Sequence, residues 1–98
     1  MARFRVSRKA QADIRDIGRH TQRAWGIDQR RNYLAGLEAQ FTLLATNPNL
    51  APERTEFSPR VHFFPYRQHM IIYLSDDDGV LILRVLHHRM DVFQHLGQ

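Results

Sequence analysis

Residues 61–91, VHFFPYRQHMIIYLSDDDGVLILRVLHHRMD, constrain the fold more than any other part of the chain. Over 68–74, Gln68, Met70, Ile72 and Leu74 fall on one side of an extended strand, and His69, Ile71 and Tyr73 fall on the other. Asp76, Asp77, Asp78 and Gly79 supply a turn, and the chain returns over 80–86. The return strand places Val80, Ile82 and Leu86 on one side and Leu81, Leu83 and Val85 on the other. A sheet this apolar needs cover on both faces, or it offers one face to a partner. Arg84 interrupts the apolar run, and a half-buried Arg requires a carboxylate or carbonyl, from Asp91 or from another protein.

The upstream half supplies the cover. Phe4 and Val6 alternate with Arg3, Arg5 and Ser7, which predicts a short strand over 3–7. Ser7 is placed to cap a helix over about 8–24 through a free backbone N–H two or three residues on. Ala10, Ile14, Ile17, Thr21 and Trp25 form its apolar stripe, and Arg8, Arg15, Arg19 and Arg23 mark a basic face. Gly26 suits a left-handed cap, and Ile27 suits a hydrophobic staple for a second helix over about 28–46. That helix has the wider stripe, with Tyr33, Leu34, Leu37, Phe41, Leu44 and Ala45, and is expected to press on the sheet more directly than the first. Asn47, Pro48, Asn49 and Pro52 end it, a polar surface loop follows to about residue 60, and Pro65 marks a bulge or strand end.

Ninety-eight residues make one domain, since compact domains hold about 100–150 residues and a second core would not fit. Thirteen of the 14 basic side chains are Arg, against 10 acidic ones, for a net charge of +4. Guanidinium forks recognise carboxylate or phosphate, so acidic proteins and nucleic acid are both admissible partners. The chain has no cysteine, which excludes disulfides and thiolate metal sites and fits a cytoplasmic protein. The first ten residues lack the apolar core of a signal peptide, and no apolar run approaches the ~20 residues of a membrane span. His62, His69 and His95 are too scattered for a metal site, and no HxxxH or HExxH spacing occurs.

One strand, a helical hairpin, a three-strand meander and a short tail follow one another in this order. That order, with VSRKAQADIRDIGRH before Trp25 and Gly26, YLAGLEAQFTLLATNPNLAP from Tyr33, FFPYRQHMIIYL from Phe63 and ILRVLHHRMD from Ile82, closely resembles the RelE/ParE superfamily of bacterial toxins, and its ParE branch in particular. The resemblance covers nearly the whole chain. It implies an α+β fold, β-α-α-β-β-β, with the helical hairpin packed on a mostly antiparallel sheet and a short C-terminal tail or helix. It also implies the toxin of a type II toxin-antitoxin pair, held inactive by a small ParD-like antitoxin whose C-terminal segment wraps it. Proteins like the ParE branch poison DNA gyrase, whereas those like the RelE branch cut messenger RNA in the ribosomal A site. The fold does not separate these activities, so the site must.

A nuclease on this scaffold needs a base, a cation and an acid close together, and Arg67, Arg84, His87, His88 and Arg89 are its candidates. RelE-like nucleases, however, tend to have a lysine-rich surface and a tyrosine near the C-terminus. This chain has the single lysine Lys9 and no tyrosine over 89–98. A gyrase poison needs only shape and charge complementarity to one state of a large enzyme, and no cofactor. The resemblance and exposure point to Arg84, His87, His88, Arg89, Met90 and Phe93 as its target-binding surface, with Leu96 as a further apolar anchor or as cover for the sheet. An amphipathic antitoxin helix would meet the open sheet face and the groove beside the hairpin through Arg15, Arg19, Ile71, Tyr73, Leu81, Leu83 and Arg84. DNA would be reached only through antitoxin or gyrase. A non-toxic binding module of an autorepressor complex is the third reading.

Overall fold

A computed structural model describes residues 3–89. It contains β1 (Phe4–Val6), α1 (Arg8–Trp25), α2 (Ile27–Thr46), β2 (Glu53–Arg54), β3 (Val61–Tyr66), β4 (His69–Asp76) and β5 (Gly79–His87). The five strands form one sheet in the order β1-β5-β4-β3-β2. Only β1 runs parallel to its neighbour, with Phe4 opposite Val80 and Val6 opposite Ile82. The expected α+β architecture is therefore present, with one addition. The polar stretch after α2 was expected to be irregular, yet Glu53 and Arg54 pair with His62 and Val61 as a two-residue edge strand.

Ser7 caps α1 as its position requires, its Oγ accepting from Ala10 N at 3.0 Å. Gly26 separates the helices at φ 94°, but its ψ of 172° lies outside the left-handed helical region, so it makes no standard left-handed cap. It closes α1 by donating its N–H to Gln22 O, and it opens α2 by accepting from Arg30 N. Two sequence expectations fail here, because Trp25 is 75% exposed and Ile27 is 45% exposed. Trp25 does not join the apolar stripe, and Ile27 does not act as a staple.

The helices cover one face of the sheet. Ala10 and Ile17 of α1 and Tyr33, Leu37, Phe41 and Leu44 of α2 bury against Ile71 and Tyr73 of β4 and Val80, Ile82 and Val85 of β5. The other face has a smaller cluster of Val61, Ile72 and Leu86, with Phe57, Phe63, Met70 and Leu83 packed against it. Strand β4 thus alternates as its sequence predicts. Strand β5 does not, because the register shifts: Tyr73 faces Ile82 and Ile72 faces Arg84, leaving Leu83 as an extra residue. The bulge resets the alternation, so Val85 joins Ile82 under the helices and Leu86 turns to the opposite face. Pro65, expected at a bulge or strand end, lies one residue from the end of β3 and pairs with Met70 at a level that the short β2 does not reach.

Helix α1 is fastened to this bulge. Ser7 N donates to Ile82 O, and Ser7 Oγ donates to Leu83 O at 2.7 Å. Nearly two turns further along, Asp13 accepts from Arg84 Nε and Nη2 and from Val85 N, each at 2.9 Å. The Asp13 and Arg84 side chains are only 13% and 14% exposed. Arg84 therefore has an internal carboxylate partner on α1, which was not expected, while Asp91 lies outside the described residues, and α1 is as closely joined to the sheet as α2.

Removing one member of a nearly buried, hydrogen-bonded ion pair leaves the other charge unpaired, which typically costs about 3 kcal/mol or more. Asp13→Ala is expected to lower unfolding stability by about 3 kcal/mol, measured by urea titration followed by circular dichroism. Asp13→Leu combined with Arg84→Met should recover most of this but leave about 1 kcal/mol for the unsatisfied Val85 N–H. Equal stability of Asp13→Ala and the parent chain would show that the clamp does not hold α1 in place.

Candidate functional site

The bulge in β5 sets where its C-terminal end emerges, and a cluster of aromatic, histidine and arginine side chains collects there. Tyr33 of α2 and His69 at the start of β4 meet through Tyr33 Oη and His69 Nδ1 at 2.6 Å. The Tyr33 ring also packs edge-on against Tyr66, and Tyr66 Oη donates to Tyr33 O at 3.0 Å. Gly36 makes this approach possible, since a Cβ there would overlap the Tyr66 hydroxyl. His69 stands edge-on to His87, which stacks on His88 with ring centroids 4.4 Å apart. His88 Nδ1 donates to Gln68 O, and His87 Nδ1 accepts from Arg89 N.

Arg67 joins the cluster from the β3–β4 turn. It has φ 53°, an uncommon backbone conformation for a side chain other than Gly, Asn or Asp. Its guanidinium lies 5.6 Å from the Tyr33 ring centroid and 5.5 Å from that of Tyr66. Strained turns with a charged side chain held over aromatic rings recur at functional sites.

The electrostatics favour uncharged imidazole inside the cluster. Burial, reinforced by the charges of His87, His88 and His20, pushes His69 down to about 4. His87 is also lowered, through desolvation and then through His88, Arg89 and His20. Burial raises Tyr33, with the Gln68 backbone opposing it. A neutral His69 and a protonated Tyr33 make the phenol the donor and Nδ1 the acceptor.

The predicted site residues divide accordingly. Arg67, His87, His88 and Arg89 share one end of the sheet, but Arg84 is committed to Asp13. Ile71 and Tyr73, assigned to an antitoxin contact, are fully buried beneath the helices. Tyr73 additionally donates to Pro48 O and stacks on His62, whose Nδ1 donates to Ala51 O, so it fastens the loop after α2. Neither residue is available to a partner. Leu81 and Leu83 are half-buried, Leu83 against the Val61, Ile72 and Leu86 cluster. Arg15 and Arg19 are exposed on α1, Arg19 beside Asp16 at 3.6 Å. Met90, Phe93 and Leu96 lie outside the described residues.

Sequence reasoning missed Asp13, Tyr33, Tyr66 and His20 as neighbours of this end. Asp13 had a legible signal, a carboxylate on the buried side of α1 between Ala10 and Ile17. A second feature, foreseen only as a groove beside the hairpin, is an open apolar depression of about 240 Å³ between β1 and the helices. Phe4, Val6, Ile14, Leu34, Leu37 and Phe41 line it, with Glu38 as its charged residue.

Comparison with known proteins decides the family. Residues 4–92 match the sequence profile of the ParE toxin of the type II toxin-antitoxin system, parDE. The chain belongs to the ParE toxin family. It is 30% identical over 97 residues to Toxin ParE1 of Caulobacter vibrioides, covering 99% of this chain and 100% of that one. Toxin ParE1 of Mycobacterium tuberculosis H37Rv is 32% identical over 96 residues, with 97% and 98% covered. Toxin ParE of Escherichia coli is 31% identical over 98 residues, with 99% and 95% covered. A chain of the chromosomal ParDE TA system from P. aeruginosa superposes with a TM-score of 0.75 at 20% identity, over 89% of this chain and 96% of that one, and shares the fold. No described helix is long and apolar enough to cross a membrane.

The histidine end gives this ParE fold a defined response to acid. Because His69 is depressed from 6.5 to about 4, the unfolded chain binds its proton more readily than the folded chain does. The associated stability is complete above pH 6.5 and is lost as pH falls from 6.5 towards 4. The urea midpoint should therefore decrease across that window. His69→Gln, which cannot be protonated there, should flatten the decrease, and an unchanged slope would show that His69 is not its source.

Proposed function

We propose that this ParE-family toxin arrests growth by binding DNA gyrase and trapping it on cleaved DNA, and that a ParD-like antitoxin neutralises it in the cytoplasm. The observation that supports binding over RNA cleavage is the commitment of Arg84 to Asp13. The one arginine on the strand beside the histidines already has its guanidinium in two bonds to an internal carboxylate, leaving it poorly placed to stabilise a pentacovalent phosphate. His69 is likewise occupied by Tyr33 and neutral near pH 7. What faces solvent is a recognition surface, with Arg67, His88 and Arg89 exposed around stacked rings. Arginine and aromatic groups together favour a protein surface bearing carboxylates.

The depression between β1 and the hairpin suits the antitoxin. It is apolar and it adjoins an edge strand, as a site for the nonpolar side of an amphipathic segment requires. Its lining residues replace Ile71 and Tyr73 as the apolar contacts, while Arg15 and Arg19 remain exposed for acidic side chains of the partner.

The deciding assay incubates the purified chain with gyrase, supercoiled DNA and ATP, beside primer extension on translated messages. Double-strand cleavage complexes should accumulate and the messages should stay intact. A-site cuts without trapped complexes would overturn the reading. His88→Glu with Arg89→Glu should reduce trapping at least about tenfold, since reversing charges at an interface places like charges together. Leu34→Asp should instead abolish capture by the antitoxin while trapping persists, measured by co-purification.

A further inference from the structure

We infer that the apex of the helical hairpin, Trp25 and Ile27 between Arg23 and Arg31, is a docking anchor that seats in an apolar, carboxylate-rimmed pocket of the toxin's protein target. The inference extends the target reading above to a second contact. Trp25 and Ile27 are among the chain's exposed large apolar side chains, and they flank Gly26 at the point where α1 and α2 meet. A tryptophan three-quarters exposed at the end of two joined helices contributes nothing evident to the core. Ala24 beside it is exposed as well.

The charge around the apex specifies the partner. Arg23 and Arg31 are exposed, and neither has a carboxylate within ion-pair distance among the described residues. Arg30 is engaged by Gln22 Oε1 at 2.7 Å, and Asp28 is the one acidic residue in the first turn of α2. A projecting Trp framed by arginines has the composition of an interface hot spot. A lipid surface fits less well, because interfacial helices insert an apolar face several turns long and here the apolar contact is confined to the tip.

Position links the apex to the histidine end. His20 of α1 is near enough for its charge to act on both His69 and His87. Five residues of helix, about 7.5 Å of rise, separate His20 from Trp25. One broad partner can thus meet His87, His88 and Arg89 together with the apex. The groove lined by Ile14 lies about 16 Å back along α1 from Trp25 on the same rise per residue.

Trp25 is the only tryptophan, so a single variant and a single fluorophore report on the apex. Trp25→Ala, Trp25→Phe and the surface variant Arg23→Glu with Arg31→Glu would be compared with the parent chain. The readouts are growth arrest on induction, gyrase trapping, co-purification with the ParD-like antitoxin, and urea stability. The expected result is that Trp25→Ala and the double charge reversal remain folded and captured by the antitoxin but no longer arrest growth. Trapping should then need at least about 30-fold more protein, corresponding to about 2 kcal/mol, while Trp25→Phe retains most of the effect. Undiminished arrest by Trp25→Ala or by the charge reversal would overturn the inference. So would loss of antitoxin capture, or a blue shift of Trp25 emission with phosphatidylglycerol vesicles, which would assign the apex to the antitoxin or to a lipid surface. Gyrase untouched by the parent chain would overturn the gyrase reading alone, because the growth-arrest comparison still decides the role of the apex.

Discussion

The Asp13 carboxylate at the β5 bulge is the contact on which the rest of this structure depends. A bulge leaves backbone groups without ladder partners, and a buried N–H or C=O must find another. Here the first turns of α1 supply both partners, Ser7 Oγ for Leu83 O and Asp13 for Val85 N. The same carboxylate binds the Arg84 guanidinium, so one side chain closes the bulge and fixes the helix across it. The pair is weak evidence for high stability, since its desolvation offsets much of its attraction. Its effect is on placement: it fixes the register of α1 against β5, the alternation of β5 beyond Leu83, and the direction in which His87, His88 and Arg89 emerge.

On the proposed reading this placement suits recognition better than catalysis. Proton-transfer chemistry needs groups near their working pKa with free access to a substrate. At the exit of β5 the imidazole in closest contact with another ionisable side chain is neutral and bonded, the neighbouring strand arginine is neutralised internally, and Arg67 lies over two tyrosine rings. What remains accessible is positive charge on a stiff aromatic base. Such a surface loses little side-chain freedom on binding, which favours affinity over reactivity.

Most of the fold was legible because local rules and global packing agree. Ser7 as a cap, the Tyr33, Leu37, Phe41 and Leu44 stripe, and the alternation of β4 each follow from spacing alone. The failures share one cause. Periodicity describes an element in isolation and cannot register a residue inserted in one strand, so β5 was read as continuous, Arg84 as paired by Asp91 or another protein and not by α1, and its apolar residues as two unbroken faces. Trp25 failed for a related reason, since its helical phase was right but the helix had outrun the sheet beneath it. Ile71 and Tyr73 were placed on the correct side of β4, but that side is the one the helices cover. Which face stays open is a tertiary fact, and no strand pattern contains it.

The hairpin holds the groove and the apex on one rigid unit, which bears on how a small antitoxin could silence a toxin with a large target. If the antitoxin occupies the groove lined by Phe4, Ile14 and Leu34, the apex and the histidine end lie further along the same helices. Occupying the groove alone would then leave several target contacts uncovered. Under the proposed reading direct masking is not required, however, because specific interfaces span about 800 Å² per partner and any large target approaching the apex must also clear the flanks of α1 and α2. A segment of ordinary helical diameter, roughly 10 Å, lying against those flanks obstructs that approach without touching Trp25. On the proposed reading, neutralisation then needs only steric exclusion by a body seated beside the proposed target-facing end, with the exposed Arg15 and Arg19 available to its acidic side chains.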